Sequence, residues 1–201
     1  DFYHDGKAKD ITYGATDRFA VDVQRLVLTS NTDYGSDGST YDTENAAFSV
    51  FTAIGTTDGH GPLSFTVVGK DGMQRFYGGT TESRVLANNQ AVVIWLLSRV
   101  QDPFGNYMDY VYDQDQTEPR LLEINYTGNQ AANIAPYNKI SFGYALRSDI
   151  NETYSSRSAL KTSHLLERID VRCEGSVGKS SLLKYTLRDL HKSYLQEVQE
   201  F

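Results

Sequence analysis

"DPFGNYMDYVYDQD", residues Asp102–Asp115, decides how the rest of the chain is read. Asp102, Pro103 and Gly105 hold positions i, i+1 and i+3 of a type I turn, where Asp caps, Pro presets φ and Gly lets the chain leave. Asn106 follows the turn, and an aromatic strand follows Asn106. Side chains alternate along a strand, so Tyr107, Asp109 and Val111 share one face while Met108, Tyr110 and Tyr112 share the other. The strand closes on Tyr112-Asp113. Asp113 and Asp115 also form an acid pair of the kind a glycosidase uses, with tyrosines nearby to stack on sugar. Turn-flanking aspartates are far commoner than catalytic ones, so packing is the favoured reading.

Working outward, strand-like runs separated by Gly, Asp, Asn and Pro recur along the whole chain. Upstream lie Arg25–Thr29, Ala47–Ile54, Leu63–Val68 and Met73–Tyr77. The last two flank Asp71-Gly72, a strong hairpin signal. "GTTDGHGP" breaks the chain after Ile54, and "SNTDYGSDGSTYDTEN" after Thr29 has the composition of a loop. Ala91–Val100 (AVVIWLLSRV) is a short apolar run that periodicity cannot assign, but its β-branched start and the turn after it favour one strand. Downstream, strands are expected at Leu121–Tyr126, Lys139–Leu146, Leu165–Arg172 and Leu182–Leu187. The tail "RDLHKSYLQEVQEF" fits a helix as well as a strand, with Leu187, Leu190, Tyr194, Leu195 and Val198 near a helical period. "WLLSRV", "RLLEIN", "HLLERI" and "SLLKYT" echo one another at irregular spacings, which describes a sheet of similar strands rather than a solenoid.

Composition agrees with β structure. Fourteen Tyr and nine Phe stand against one Trp and two Met, and aromatic side chains favour a pleated, half-buried surface. At 201 residues the chain has room for one large domain or two small ones. The net charge of −7 is spread without runs, and the pI is near 5.0. Nucleic-acid binding, which needs a basic patch, is disfavoured. The longest apolar stretch, Ala91–Leu97, is far shorter than the roughly 20 residues of a membrane helix. Cys173 is the sole cysteine, so no internal disulfide forms. The chain opens on "DFYHDGKAKD" without an initiator Met or a signal-peptide pattern, which predicts a piece of a longer protein.

Other motifs fail on spacing. "GSVGKSS" at Gly175–Ser181 has two residues, not four, between its first Gly and Gly-Lys-Ser, so a hairpin turn is expected there rather than a phosphate loop. Asp1, Asp5 and Gly6 echo a calcium loop, but Tyr3 occupies a ligand position and no bidentate Glu closes the set. His4, His60, His164 and His191 are scattered, which gives a zinc site little support, and no Ser lies in a G-x-S-x-G elbow. Asn125-Tyr-Thr and Asn151-Glu-Thr match the glycosylation tripeptide, which matters only in a eukaryotic secretory setting. No cofactor, metal or catalytic set is expected.

"LLSRVQDPFGNYMDYVYDQD" followed by "PRLLEINYTGN" resembles a YD repeat, the unit of Rhs proteins, over about residues 95–127. The wider chain resembles the SpvB-like N-terminal region of Tc insecticidal toxin B components and related bacterial virulence proteins. Collinear blocks carry that resemblance: "TYGATDRFAVDVQRLVL", "YDTENAAFSVFTAIG", "GPLSFTVVGKDGMQRFYG", "WLLSRVQDPFGNYMDYVY", "INYTGN", "APYNKISFGYALRSD" and "HLLERIDV". Two departures stand out. The family usually has Asp-Gly-Gln-Arg-Leu where this chain has "DVQRL", so with Val23 in place of the glycine the turn is expected to be altered or lost. The Gly expected after Tyr112-Asp113 is replaced by "QDQTEP", which implies a longer connection. The resemblance also shifts the tail toward two strands.

The resemblance implies an all-β fold of antiparallel strands and hairpins in twisted Rhs-like sheets, spanning residues 1–201 as a single domain or as a fragment of a larger β shell. It implies a noncatalytic part of a secreted bacterial toxin complex, whose B component forms with the C component a cocoon around a toxic segment. The implied partners are the remainder of the parent chain and other toxin-complex components, with no nucleic acid and no membrane contact by this segment. The motif residues are then Asp102, Pro103, Gly105, Asn106, Tyr110, Tyr112 and Asp113, acting as scaffold. Two other readings remain: a carbohydrate- or cell-surface-binding module using Tyr34, Tyr41 and Asp-rich loops, and, ranked last, a hydrolase using acidic residues.

Overall fold

A computed structural model describes residues 11–13, 16–46, 48–56, 61–87, 91–115, 117–155 and 158–201. The first half contributes β1 (Ala20–Val21), β2 (Gln24–Leu28), β3 (Thr40–Thr43), β4 (Val50–Ile54), β5 (Ser64–Val68), β6 (Gln74–Tyr77), β7 (Arg84–Leu86), β8 (Val92–Trp95) and β9 (Leu97–Gln101). The second half contributes β10 (Asn106–Tyr112), β11 (Leu121–Asn129), β12 (Asn138–Ser155), β13 (Ser158–Cys173), β14 (Ser176–Arg188) and β15 (Lys192–Glu200). All but β7 and β8 form one antiparallel sheet of thirteen strands, in chain order apart from the omitted β7–β8 hairpin. The only helix among the described residues is the 3₁₀ turn Asp189–His191. The fold is all-β, as the resemblance implied.

The hairpins form where turn chemistry allows. Between β5 and β6, Gly69 N donates to Met73 O at 2.9 Å and Gly72 sits at φ +76°, a conformation open to glycine. The β13–β14 turn places Glu174 and Gly175 at positive φ, so "GSVGKSS" supplies the end of that turn and the start of β14. The tail is β14, the 3₁₀ turn and β15, paired from Arg188↔Lys192 to Ser181↔Glu200. It is not a helix.

Expectations for the β1–β2 turn and two strands are corrected. The β1–β2 turn survives without its glycine: Val21 pairs with Gln24, and Asp22 and Val23 adopt φ of 47° and 66°. Closing this hairpin outweighs the penalty of a β-branched residue in the left-handed region. The run Ala91–Val100 divides into two strands in different sheets, because the chain changes partners at Leu96, from the β7 side to the β6 side. Leu96 N donates to Ser83 O and its O accepts from Gly78 N, each at 2.8 Å. The strand expected from Ala47 begins at Val50, since Phe48 at φ 54° interrupts the extended chain; Ala47 itself lies outside the described residues.

The core occupies the first half. Leu26, Tyr41, Phe51, Ala53, Phe65 and Val67 form its buried centre on alternate strand positions. The Phe19 ring lies 5.1 Å from Tyr34, 5.2 Å from Phe65 and 5.5 Å from Trp95, within the range of favourable aromatic pairs. The exposed-tyrosine reading of the 30–45 loop is therefore overturned. Tyr41 is 0% exposed, with its hydroxyl 2.7 Å from Gly35 N and 2.6 Å from Ser39 Oγ. The Tyr34 hydroxyl donates to Leu26 O and accepts from Phe19 N, and burial pushes its pKa up to about 12. Polar neighbours in sequence concealed a pair of core aromatics.

Beyond β8 the sheet changes character. Every fully buried hydrophobic side chain among the described residues lies between Leu26 and Val92. From β9 onward apolar side chains are half-buried or exposed. The β10 ladder slips between Tyr107 and Asp109 and again between Val111 and Tyr112, and such bulges sharpen local twist.

Candidate functional site

The Asp102–Asp115 segment is held by its own side chains. Gly105 N donates to Asp102 O at 3.1 Å, closing the turn, and Gly105 takes φ +84°. Asp102 Oδ2 accepts from Asn106 Nδ2 at 2.7 Å, and Oδ1 accepts from Phe104 N at 2.8 Å and Asn106 N at 2.9 Å. The Asn106 amide and these backbone donors hold the Asp102 carboxyl below its usual range. Asn106 Oδ1 in turn accepts from Asn129 Nδ2 at 2.7 Å, tying the turn to the end of β11. Pro103 packs on the neighbouring β5–β6 turn, where a Cβ added at Gly72 would meet its Cγ at 2.9 Å.

Along β10 the tyrosines pack in two ways. On one face the Arg99 guanidinium lies 4.1 Å over the Tyr107 ring and grips Asp109 through two hydrogen bonds of 2.6 and 2.9 Å. The other side of Tyr107 rests on Gly128, where an added Cβ would meet its Cζ at 2.5 Å. On the opposite face Tyr110 OH reaches Met108 Sδ at 3.3 Å, and Tyr112 OH donates to Leu97 O at 3.0 Å. Burial, with Tyr110 and Tyr77 nearby, pushes Tyr112 up to about 12. It stays a neutral donor.

The acid pair is consumed by the connection after β10. Asp113 Oδ2 accepts from Arg120 Nε at 2.5 Å, and Oδ1 accepts from Arg120 N at 3.1 Å and Asp115 N at 3.3 Å. Asp115 Oδ1 caps Thr117 N, Thr117 Oγ1 and Glu118 N at 2.9, 2.8 and 3.2 Å. The Thr117 hydroxyl and backbone N–H, with Glu118 N, hold the Asp115 carboxyl below its usual range. Both carboxylates serve as loop caps, which leaves the glycosidase reading without its two free acids.

Sequence reasoning missed what this connection does next. Glu118, nearly buried, points its Oε1 at Ser163 N (2.7 Å) and His164 N (3.0 Å), while Oε2 meets His164 Nδ1 (2.9 Å) and the Ser163 hydroxyl. Burial raises the Glu118 carboxyl, but the bonds from Ser163 and His164 outweigh it and hold the pKa at about 2. This is not a nucleophilic triad. Ser163 Oγ lies beside both the carboxylate and His164 Nδ1, the same ring nitrogen that meets the acid, whereas a triad places the imidazole between acid and nucleophile. Nearby, Asp149 accepts from Arg147 Nε and Nη2 at 2.9 and 2.8 Å and from Ser193 N and Oγ at 2.8 and 2.6 Å. Arg147, then Ser193, lowers the Asp149 carboxyl. "QDQTEP" marked the place, but partners 45 residues away leave no local signal.

A shallow open depression of about 350 Å³ lies across β12–β15, lined by Ala145, Leu165, Glu167, Leu183, Tyr185 and Gln196. Among the described residues no group of three or more His, Cys, Asp or Glu is placed to hold a metal, and no helix is long and apolar enough to cross a membrane. The calcium-like stretch Asp1–Asp10, His4 and His60 lie outside the described residues.

The described strands and their turns define one antiparallel all-β module. Residues 41–169 match the family described as Salmonella virulence plasmid 65kDa B protein, and the chain belongs to this SpvB family. Its fold is similar to the N-terminal domain of effector protein SpvB from Salmonella typhimurium strain LT2, with TM-score 0.75 and 13% identity over 96% of this chain and 83% of that one. It is similar to a chain in the TcdB2-TccC3-Cdc42 crystal structure, with TM-score 0.72 and 16% identity over 94% of this chain. A chain of the Photorhabdus luminescens Tc holotoxin pore matches with TM-score 0.69 and 14% identity over 88%. The matches span only 12% of each of those two Tc chains. No curated protein sequence matches.

Proposed function

We propose that residues 1–201 act as one noncatalytic structural module of a large SpvB- or Tc-B-like toxin protein, contributing wall strands to a β shell that encloses and helps deliver a toxic segment. The observation that carries this reading is the asymmetry of burial. A conventional aromatic core anchors β1–β8, whereas β9–β15 continue as a sheet without a fully buried hydrophobic side chain among the described residues. A strand of a shell has two faces and two neighbours to satisfy, and such a sheet is suited to packing against further wall. Within it, residues 95–127 act as a YD-like unit in which Asp102, Pro103, Gly105 and Asn106 aim the strand, Tyr110 and Tyr112 pack it, and Asp113 closes it.

The proposed partners are the remainder of the parent chain and the other components of a secreted toxin complex. Limited proteolysis of the assembled parent protein, with cargo release as the readout, tests the reading. Cleavage engineered into the β13–β14 turn at Glu174-Gly175 is expected to open the shell and expose cargo to protease. Full cargo protection after complete cleavage and removal of the piece would count against a role in the wall. Any hydrolysis of nucleotide, ester or glycan by the purified chain that a single side-chain change abolishes would defeat the noncatalytic half.

A further inference from the structure

The β12–β13 hairpin is continuous in the chain but not in its ladder. Pairing runs from Asn138↔Cys173 to Leu146↔His164 and resumes at Asn151↔Thr162. Residues 147–150 on β12 therefore stand opposite Ser163 alone. Neighbouring strands give out before this point: β11 pairs with β12 only over Asn138–Ser141, and β14 pairs with β13 only over Arg168–Cys173. Among the described residues the outer arm, Asn151–Ser155 paired with Ser158–Thr162, is a two-stranded ribbon, and an isolated ribbon of this kind is at best marginally stable.

At the break, the Glu118 side chain and the Thr117 carbonyl stand in for the missing strand. The backbone N–H groups of Ser163 and His164 donate to Glu118 Oε1, and Lys161 N donates to Thr117 O at 2.8 Å. The displaced Asp149 crosses instead to Ser193 at the start of β15. Arg147 holds Asp149, and the Glu118 charge acts on Arg147 as well. Thr117, Glu118 and Arg120 are themselves held by the Asp115 and Asp113 carboxylates, as described above.

We propose that Thr117 and Glu118, at the end of the connection after β10, act as a strap that fixes the angle at which the β12–β13 arm leaves the sheet, with Glu118 as its positioning residue, and that the arm swings as a unit when the strap is released. The backbone bonds, not the charge alone, do the holding. A glutamine at 118 keeps a carbonyl acceptor for the two N–H groups; an alanine keeps none.

Cys173 is exposed and is the sole cysteine, so it serves as one spin-label site on the embedded end of β13. Thr153→Cys supplies the second, on the exposed face of the arm. Double electron–electron resonance on the 201-residue chain is expected to give one narrow distance distribution. Glu118→Ala should broaden it about twofold or split it while circular dichroism stays β-rich, as release of a rigid arm requires. Glu118→Gln should stay narrow. An unchanged distribution in a folded Glu118→Ala chain, or a Gln variant as broad as the Ala variant, would overturn the proposal. If Glu118→Ala does not fold, amide exchange in the unaltered chain decides. The strap requires Ser163 and His164 to be protected like Ile169 in the intact ladder, and exchange at loop rates would refute it.

Discussion

Replacing Val23 with glycine should stabilise this protein, although it removes a hydrophobic side chain. Val23 sits at φ 66° in the β1–β2 turn, next to Asp22 at φ 47°. Its side chain is fully exposed, at 103% of the reference area, so no packing is lost on truncation. A β-carbon in the left-handed region costs about 1–2 kcal/mol, and a β-branched residue lies at the upper end of that range. Glycine recovers this but gives back about 0.5–1 kcal/mol through the greater freedom of the unfolded chain. The net expectation is a gain of about 0.5–1 kcal/mol, equivalent to roughly 1–4 °C in a domain of this size. Urea unfolding followed by tryptophan fluorescence measures it through the midpoint, since Trp95 lies against Phe19 and Phe65 in the same core. Val23→Asn, which also tolerates positive φ, should move the midpoint the same way. Val27→Gly, in the adjacent strand, should move it the other way. A Val23→Gly chain that is less stable, with an unchanged denaturant slope, would refute the claim that Val23 is strained.

Other consequences are equally open to measurement. The folded-state pKa of Glu118 lies at about 2 against an ordinary 4.5. Its contribution is therefore complete above pH ~4.5 and is lost as the pH falls from there toward ~2, with a ceiling of about 3 kcal/mol. Unfolding free energies across that window should decline less steeply in Glu118→Gln than in the unaltered chain, and identical slopes would contradict the assignment. Gly128→Ala should destabilise by about 1–3 kcal/mol, because its Cβ would force Tyr107 from under Arg99; a neutral effect in thermal unfolding would show that the ring has room to move. Tyr41→Phe should cost about 1–3 kcal/mol, since it leaves Gly35 N and Ser39 Oγ without the buried hydroxyl, and a calorimetric midpoint equal to the unaltered chain's would argue against that network.

What the sequence made legible was local. The Asp71-Gly72 and Asp102-Pro-Phe-Gly turns need only adjacent residues to specify them, and both lie where turn chemistry puts them. The strands after Leu121 were recognisable but too short. β12 runs on to Ser155 rather than stopping near Leu146, because its polar second half, "RSDINETYS", carries no hydrophobic alternation and is extended chiefly through β13. Ala91–Val100 read as one strand because an apolar run does not show that its two halves serve different sheets. Tyr34 and Tyr41 read as surface residues because Gly, Ser and Asp surround them, although alternate positions around Tyr41 face the core. Glu118 was invisible for a different reason. Its partners, Ser163 and His164, become neighbours only after β11, β12 and β13 have paired.

If β9–β15 are unfinished wall, the rest of a toxin protein completes them. Amide exchange along β15, Lys192–Glu200, in the 201-residue chain and in the assembled parent protein tests this most directly. Among the described residues β15 pairs only with β14 in the sheet order, which leaves its far edge without a described partner strand. Amides on that edge are expected to exchange rapidly in the 201-residue chain and to become strongly protected in the assembly, as new ladder bonds form. Equal, rapid exchange in both would contradict it.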